Sequence, residues 1–317
     1  MNNSGWSRTE SPFHAGELAI QDRLGVRERV DRQGRLMIRE YLTTQHQQFF
    51  SQLSYLIIGT VDESDNPWSS IVVGEPGFIK VISDRKLQID ASILTGDPLA
   101  VTLKEGADIG LLGIELHTRR RNRVNGIVTK VERDRFEVEV RQTFGNCPQY
   151  IQARTFVRER SSDLPQIESI VSLSRWENDS IANADTFFIA TAYQDSSGGI
   201  NKGVDVSHRG GKPGFIKVND KQTLTIPDFS GNNHFNTIGN LELNPRAGLL
   251  FVDFANKSLL YLTGTTEIIW SGKEVNSFVG AERLIRFYLK QGYRVRDSLP
   301  LSWSNPEFSP SLENHGS

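Results

Sequence analysis

The octamer Gly-Glu-Pro-Gly-Phe-Ile-Lys-Val at residues 74–81 returns at 211–218 as Gly-Lys-Pro-Gly-Phe-Ile-Lys-Val. An apolar segment precedes each octamer, at 55–59 and at 187–191, and a second short apolar strand follows each one. A shared octamer inside two similarly ordered segments indicates a duplicated β domain. A repeat this long indicates two domains rather than a stacked repeat array.

Composition describes a soluble globular protein and excludes several classes of partner. The 317 residues are 37% hydrophobic and 23% charged, with a net charge of −2, so we expect neither nucleic acid nor a membrane surface as a partner. No apolar run approaches the roughly 20 residues of a membrane helix. The single Cys147 rules out an intramolecular disulfide, and together with a polar N-terminus it favours a cytoplasmic location.

The order of these patterns predicts a mainly β (α+β) chain of two domains. We expect five segments in chain order: an N-terminal helical extension at 1–44, a first barrel at 45–157 (copy one), a linker at 158–186, a second barrel at 187–303 (copy two) and a mobile tail at 304–317. Closely spaced short strands with turn clusters between them favour barrels, which leave no exposed sheet edges.

The two copies differ before the shared octamer. Copy one reads Trp-Ser-Ser-Ile-Val-Val-Gly-Glu-Pro at 68–76, whereas copy two reads Gly-Val-Asp-Val-Ser-His-Arg-Gly-Gly-Lys-Pro at 203–213. Copy two thus gathers Ser207, His208, Arg209 and Lys212, and hydroxyl, guanidinium and ammonium donors beside glycines suit a phosphate. The structural alternative is an ordinary polar loop.

A second polar cluster follows in copy two, at 229–241. This stretch contains Asn232, His234, Asn236 and Thr237 and leads into a predicted helix, whose N-terminus would be a good anion site. These side chains are also those of turns and helix caps. Since both clusters flank the same pair of strands, a phosphorylated ligand and plain loop chemistry are about equally supported by the residues alone.

The same stretches resemble the FMN-binding split barrels related to pyridoxamine 5'-phosphate oxidase, in particular a two-barrel subgroup of flavin-nucleotide-binding proteins. The resemblance rests on 204–218, on Ile-Pro-Asp at 226–228, on 231–241 and on Asn-Pro-Arg-Ala-Gly-Leu-Leu-Phe-Val-Asp-Phe at 244–254. It covers nearly the whole chain, because Ser-Pro-Phe-His-Ala-Gly-Glu at 11–17 and the motif at 146–152 are also typical of the subgroup. It implies a six-stranded split barrel per copy, with the two copies forming a pseudo-dimer that holds FMN at their seam.

The resemblance also implies roles for single residues. Ser207 and Arg209 match positions that grip the flavin phosphate or the ribityl chain, and the strand at Pro227 and Asp228 matches the one whose backbone lies along the isoalloxazine ring. The second phosphate-contacting group falls within a set of four residues: Asn232, His234, Asn236 and Thr237. Many relatives carry a basic residue in this segment, often an arginine near His234, and an imidazole in its place would weaken the phosphate grip at high pH. Copy one lacks the loop, which implies one competent FMN site per chain.

Other candidate groups carry less weight. The structural interpretation of the basic run at 119–123 is a solvated hairpin tip. The functional alternative is that the run reaches the seam and helps to bind an anionic substrate or the flavin phosphate. We expect a helix begun by Pro148, whose dipole would lower the pKa of Cys147, although an inert thiol is the more common case. The six histidines are scattered, so no metal site is predicted.

Function is predicted at two levels. The leading hypothesis is an FMN-dependent oxidoreductase that passes electrons from NAD(P)H or a redox protein to a small-molecule substrate or to oxygen. The rival is a non-catalytic flavin-binding or flavin-storing protein, or a barrel repurposed for another ligand such as haem. Catalytic residues, the substrate and further pairing into a homodimer stay open.

Overall fold

The computed structural model describes residues 5–159, 164–194 and 199–312. Three helices come first: α1 (Ala15–Arg23), α2 (Arg27–Met37) and α3 (Thr44–Gln52). The His14 side chain caps α1 through Gly16, and Thr43 caps α3 by accepting the His46 amide, so both helices begin after polar residues. Parts of the predicted linker and tail, at 160–163 and 313–317, lie outside the described residues.

Copy one forms an antiparallel sheet of seven strands, and a short helix interrupts them. They are β1 (Tyr55–Val61), β2 (Pro67–Val73), β3 (Ile79–Ser83), β4 (Lys86–Ile89), α4 (Leu99–Thr102), β5 (Asp108–Glu115), β6 (Arg120–Glu132) and β7 (Arg135–Gly145). The strand order is β2-β1-β5-β6-β7-β4-β3. Three elements lead to the second sheet: β8 (Phe156–Arg158), β9 (Gln166–Ile170) and α5 (Arg175–Asn183).

Copy two repeats this arrangement. Its elements are β10 (Thr186–Tyr193), β11 (Gly203–Gly210), β12 (Lys217–Val218), β13 (Thr223–Phe229), α6 (Asn236–Leu243), β14 (Arg246–Asp253), β15 (Ser258–Ile269), α7 (Lys273–Asn276) and β16 (Ala281–Arg296). The order β11-β10-β14-β15-β16-β13-β12 matches that of copy one strand for strand. The segment at 282–289 is part of β16. The last strand, β17 (Leu301–Trp303), pairs with β8.

The structure therefore contains the duplication that the octamers indicated, with one difference in strand number. The sheet of copy one has seven strands and the sheet of copy two has eight, where six were expected in each. Seven strands share a common order, and β9 adds the eighth by pairing with β16. In the described part of the chain no pairing joins β2 to β3 or β11 to β12, so closure into split barrels stays a proposal. The boundaries at 45–157 and 187–303 stay predictions.

Apolar residues form one core inside each copy and a third between them. The third core joins Trp68 and Leu112 of copy one to Phe188, Val206 and Leu250 of copy two. This is why the central strands β1, β5, β10 and β14 are buried along nearly their whole length. One face of each packs in its own copy and the other packs on the seam.

Two equivalent glycines allow the copies to approach closely. The tripeptide Gly-Leu-Leu occurs at 110–112 and at 248–250. A Cβ at Gly110 would lie 2.7 Å from the Val204 carbonyl oxygen, and a Cβ at Gly248 would collide with the Pro67 carbonyl. Each copy thus presents its glycine to the backbone of the other.

We predict that Gly248→Ala lowers the free energy of unfolding by about 1–3 kcal/mol, because the added methyl group forces the Pro67 backbone away. Urea denaturation followed by circular dichroism measures the change. Gly231→Ala is the matched control, since nothing lies within 4 Å of a Cβ there. Equal stability of the two variants would contradict the close approach.

No helix in the described ranges has both the length and the apolar character needed to cross a membrane.

Candidate functional site

A cavity of about 130 Å³ opens at the seam between the copies. Copy one contributes β6 and the segment 146–150, and copy two contributes β11, β13, the start of α6 and the start of β16. We call it cavity A. It is smaller than the roughly 300–1,000 Å³ of typical ligand pockets, so it encloses only part of a cofactor-sized molecule.

Most of the predicted site residues meet in cavity A. Eight line it: Ser207, His208, Arg209, Pro227, Asp228, Asn232, Asn236 and Thr237. Two do not, namely Lys212 and His234. The Lys212 carbonyl accepts the Phe215 amide at 2.9 Å in the turn that follows β11. The residues predicted from the sequence thus lie together around one cavity, although they belong to three elements of copy two.

His234 lies in an aromatic environment instead of the cavity lining. Its ring contacts those of Phe13 and Phe144, with centroid distances of 5.2 and 5.6 Å. Burial and the nearby Arg123 lower the pKa of His234 to about 4. The imidazole is therefore neutral throughout the neutral range, which removes the basis for the expected loss of phosphate affinity at high pH.

Arg123 ties the two copies together beneath the cavity. Its Nη1 donates to Asp205 Oδ1 at 2.7 Å, and its Nη2 donates to Ser207 Oγ. Both partners are on β11, where residues two apart share a face. Thr237 Oγ1 donates to the same Ser207 hydroxyl at 3.2 Å. Ser207 thus joins β6, β11 and the first turn of α6.

Arg121 is the cation of cavity A that no carboxylate neutralises. Its Nε donates to the Cys147 carbonyl at 2.8 Å, and its Nη1 lies 3.2 Å from His208 Nδ1. Among the described residues it forms no ion pair with Asp or Glu. Burial, reinforced by the positive charge of Arg123, lowers the pKa of Arg121 to about 10. The guanidinium remains charged at neutral pH, and a ligand anion would compensate that charge.

His208 is held neutral beside this cation. Burial is the main cause that lowers its pKa well below the ordinary value, and Arg121 and Arg209 add to the effect. A neutral imidazole can accept a hydrogen bond from Arg121 at Nδ1. His208 therefore orients Arg121 without adding charge.

Two further arginines converge on Asp228. Arg209 from β11 and Arg283 from β16 each donate to one oxygen of this buried carboxylate. Arg283 also donates to Glu282 at 2.6 Å. The lining of cavity A therefore holds four guanidinium groups and two carboxylates, and Asp205 outside the lining neutralises Arg123. One net positive charge is left for an anionic ligand.

The N-terminus of α6 faces the same space. Phe235 precedes the helix in a left-handed conformation (φ 62°), and no side chain caps the helix. Asn236, Thr237 and Ile238 of the first turn line cavity A. An uncapped helix start offers amide donors and a partial positive charge, which favours an anion.

The N-terminal extension supports α6 from behind. Gly16 and Gly239 are in such close contact that a Cβ at either would collide with the backbone of the other helix. Asn236 donates to the buried Glu17 carboxyl. Burial and the charge of Asp205 raise the pKa of Glu17 well above its ordinary value.

The segment 146–150 forms the mouth of cavity A as an irregular chain, so the predicted helix beginning at Pro148 is wrong. Cys147 consequently has no helix dipole beside it and lines the cavity half-buried. Tyr150 adopts φ 65° and donates from its hydroxyl to the Ser230 carbonyl at 3.0 Å. Its ring lies 5.4 Å from that of Phe229.

The basic run at 119–123 is not a solvated hairpin tip. Arg123 has only 3% of its side chain exposed, and Arg121 joins it in cavity A. Arg119 binds Glu307 at 2.9 Å, and Arg120 lies over the ring of Phe49 at 5.2 Å. The functional alternative, that the run reaches the seam, matches the geometry.

The duplication gives the interface between the copies a second place equivalent to cavity A, which we call the second seam. Its residues differ in chemistry. Strand registers equate Ser207 with Ser70, Arg209 with Val72 and Arg123 with Tyr261. The two guanidinium groups are thus replaced by an isopropyl group and a phenol. This seam has lost the residues that would hold an anion.

The protein's own carboxylate occupies that second place. The Tyr261 hydroxyl donates to Asp97 Oδ2 at 2.9 Å, the Leu99 amide donates to Oδ1 at 2.8 Å, and the Ile71 amide donates to Oδ2 at 3.3 Å. Asp97 therefore sits before α4 much as a ligand anion would sit before α6. Burial raises the pKa of Asp97 to about 6.

The raised pKa of Asp97 predicts a pH dependence of stability. Since the folded protein holds this proton more tightly than the unfolded chain, its contribution is present below about pH 4 and is lost as the pH rises to about 6. Wild type should lose on the order of 2 kcal/mol more than Asp97→Asn between about pH 4 and pH 7. Urea denaturation at both pH values gives the difference. Parallel curves for the two proteins would show that Asp97 titrates normally.

Comparison with known proteins gives only distant structural likenesses. No protein-family model matches the sequence, and no curated protein does. Similar solved structures include HupZ from Group A Streptococcus (15% identity, TM-score 0.29, covering 37% of this chain and 90% of that one). A putative pyridoxamine 5'-phosphate oxidase from Lactobacillus delbrueckii gives 12% identity and a TM-score of 0.31, covering 39% of this chain and 94% of that one. An FAD-binding protein from Mesorhizobium loti gives 10% and 0.26, covering 41% and 97%.

Each of these proteins is similar to well under half of this chain. The identities and TM-scores are too low to assign a ligand or an activity, and the chemistry of cavity A has to be read from its own residues.

Proposed function

We propose that this chain is an FMN-binding flavoprotein that holds the FMN phosphate in cavity A and acts as an oxidoreductase on a small substrate. The observation that carries the proposal is the positive charge gathered at the seam. Arg121 lacks a carboxylate partner among the described residues and lies in the same cavity as the uncapped start of α6. Both features favour a doubly charged phosphate.

The residues of cavity A fit a flavin phosphate in donor type and in charge. Arg121 and Arg209 offer guanidinium donors, Ser207 and Thr237 offer hydroxyls, and α6 offers amides. Four arginines against Asp228, Glu282 and Asp205, the buried partner of Arg123, leave one positive charge, which a phosphate anion would compensate. Since the enclosed volume is only about 130 Å³, it suits the phosphate end.

The ring end of the cofactor would lie at the mouth. Tyr150 and Phe229 supply aromatic surface there, and Pro227 supplies an apolar backbone position without an amide donor. Bound FMN supplies hydride and electron transfer. The chain's own residues bind and orient it, and the apolar seam behind Phe188 and Val206 excludes water. NAD(P)H or a redox protein as electron donor belongs to the same proposal.

We expect the freshly purified protein to show the visible absorption of oxidised flavin, and heat to release FMN at about one per chain. Release of two per chain would mean that the Asp97 seam also binds. A haem-type spectrum would favour the repurposed barrel instead. A colourless protein that takes up no added FMN would refute the proposal.

Removal of the guanidinium of Arg121 or of Arg209 should weaken FMN binding. We expect Arg121→Ala and Arg209→Ala each to lower the affinity about 10- to 100-fold, as the loss of a hydrogen bond to a charged group predicts. Flavin fluorescence titration measures the affinity, and circular dichroism checks the fold. The control is Arg133→Ala, because 95% of that side chain is exposed away from the seam. Unchanged binding by Arg121→Ala and Arg209→Ala would exclude cavity A as the phosphate site.

Turnover separates an enzyme from a flavin carrier. We expect stopped-flow mixing of the flavin-loaded protein with NADPH to bleach the flavin band, and a substrate to restore it faster than air does. Reoxidation at the rate set by air alone, with every candidate substrate, would favour storage.

A further inference from the structure

A second and larger cavity, of about 450 Å³, is lined mainly by residues of copy two and of α5. We call it cavity B. Its walls are α5, the chain entering β10, the turn between β14 and β15, and the segment 303–306. Its volume is within the range of about 300–1,000 Å³ that small-molecule sites occupy. The proposed flavin site does not use it.

Aromatic side chains form much of the wall. Trp176 comes from α5, Phe251 and Phe254 come from β14 and the following turn, and Trp303 comes from β17. The rings of Phe254 and Trp303 lie 5.2 Å apart and nearly perpendicular, at 76°. Such walls bind flat or apolar groups. Guanidinium groups already lie over two of the rings, Arg154 over Phe254 at 4.2 Å and Arg294 over Trp176 at 4.9 Å, as the attraction of ring faces for cations predicts.

The charge of cavity B is negative. Of the lining residues that the structure describes, Arg154 alone is cationic, and it pairs with the buried Asp185 through two bonds of 3.1 and 2.6 Å. Asp253 and Asp179 remain. Asp253 accepts only neutral amide donors from Ala255 and Asn256. Asp179 has a single long contact of 3.6 Å to the exposed Arg175. Two carboxylates are thus left without close cationic partners.

We propose that cavity B binds a small organic cation with an apolar or aromatic body, such as an amine or a quaternary ammonium compound. The two uncompensated carboxylates attract the positive charge, and Trp176, Phe254 and Trp303 contact the body. An anion is disfavoured, because Asp185 already neutralises the only lining cation. This chemistry is the reverse of that in cavity A.

The two cavities are separate but share a wall. The Asp185 carbonyl in cavity B accepts the Gly211 amide at 3.0 Å, and Gly210 next to it lines cavity A. Gln152 donates to the Gly211 carbonyl at 3.3 Å, two residues before Arg154. A ligand in cavity B therefore does not occupy the phosphate site, and its binding can be measured with cavity A filled or empty.

Isothermal titration with benzyltrimethylammonium tests the proposal. We expect saturable binding of one cation per chain, both with and without FMN, and no binding of phenylacetate, which has a similar body but the opposite charge. Asp179→Asn should weaken the cation about 2- to 5-fold, and Trp176→Leu about 3- to 10-fold. Asp179 is exposed, and Trp176 is partly buried and packs against the core of copy two.

Matched controls separate a local effect from a general one. Asp134→Asn removes an exposed carboxylate remote from cavity B, and Trp270→Leu removes a half-buried tryptophan that lies under Arg23 much as Trp176 lies under Arg294. Both should bind the cation like wild type. Absence of saturable binding up to about 10 mM, or equal binding of phenylacetate, would overturn the proposal. So would wild-type affinity in both Asp179→Asn and Trp176→Leu.

Discussion

The buried ion pair between Arg123 and Asp205 is the interaction on which the site depends. It crosses from β6 to β11, and both side chains are less than a tenth exposed. A buried pair stabilises a fold only when further hydrogen bonds satisfy both groups. Asn125 and Asn240 each donate to Asp205 at 2.8 Å. The network fixes how the copies meet, and it places the Ser207 hydroxyl at the start of α6.

The duplication leaves the backbone symmetric while the chemistry of the two seams differs. Gly110 and Gly248 permit the same close approach on both sides. In one seam Arg123 and Arg209 surround a cavity, and in the other Tyr261 and Val72 take their places while Asp97 satisfies the amides of Ile71 and Leu99. An internal carboxylate occupies the second place, and under the proposed function a ligand anion takes the equivalent place in cavity A.

Sequence reasoning found the duplication and most of copy two's contribution to the site, because those signals are local. The octamers predict the strand that follows Gly77 and Gly214. Ser207 and Arg209 are recognisable as candidate phosphate ligands because they lie within one short polar stretch. It could not find Arg283 or assign Arg121, since these reach cavity A through the strand order rather than through neighbouring residues. The composition of the run at 119–123 is typical of a turn. Only the pairing of β6 with β5 and β7 turns Arg121 and Arg123 to the seam.

Cavity A carries features that do not stabilise the folded chain by themselves. Arg121, Arg123 and Arg209 are close enough for the last two to lower the pKa of the first. Asn233 and Phe235 hold positive φ angles just before α6, at a cost on the order of 1–3 kcal/mol for each such residue. On the Asp97 side a glycine makes the equivalent left-handed turn, since Gly96 has φ 82°, and Val72 and Tyr261 stand in place of two of the arginines. Under the proposed function an anion compensates the like charges gathered in cavity A, and a ligand that binds only the folded state adds to its stability.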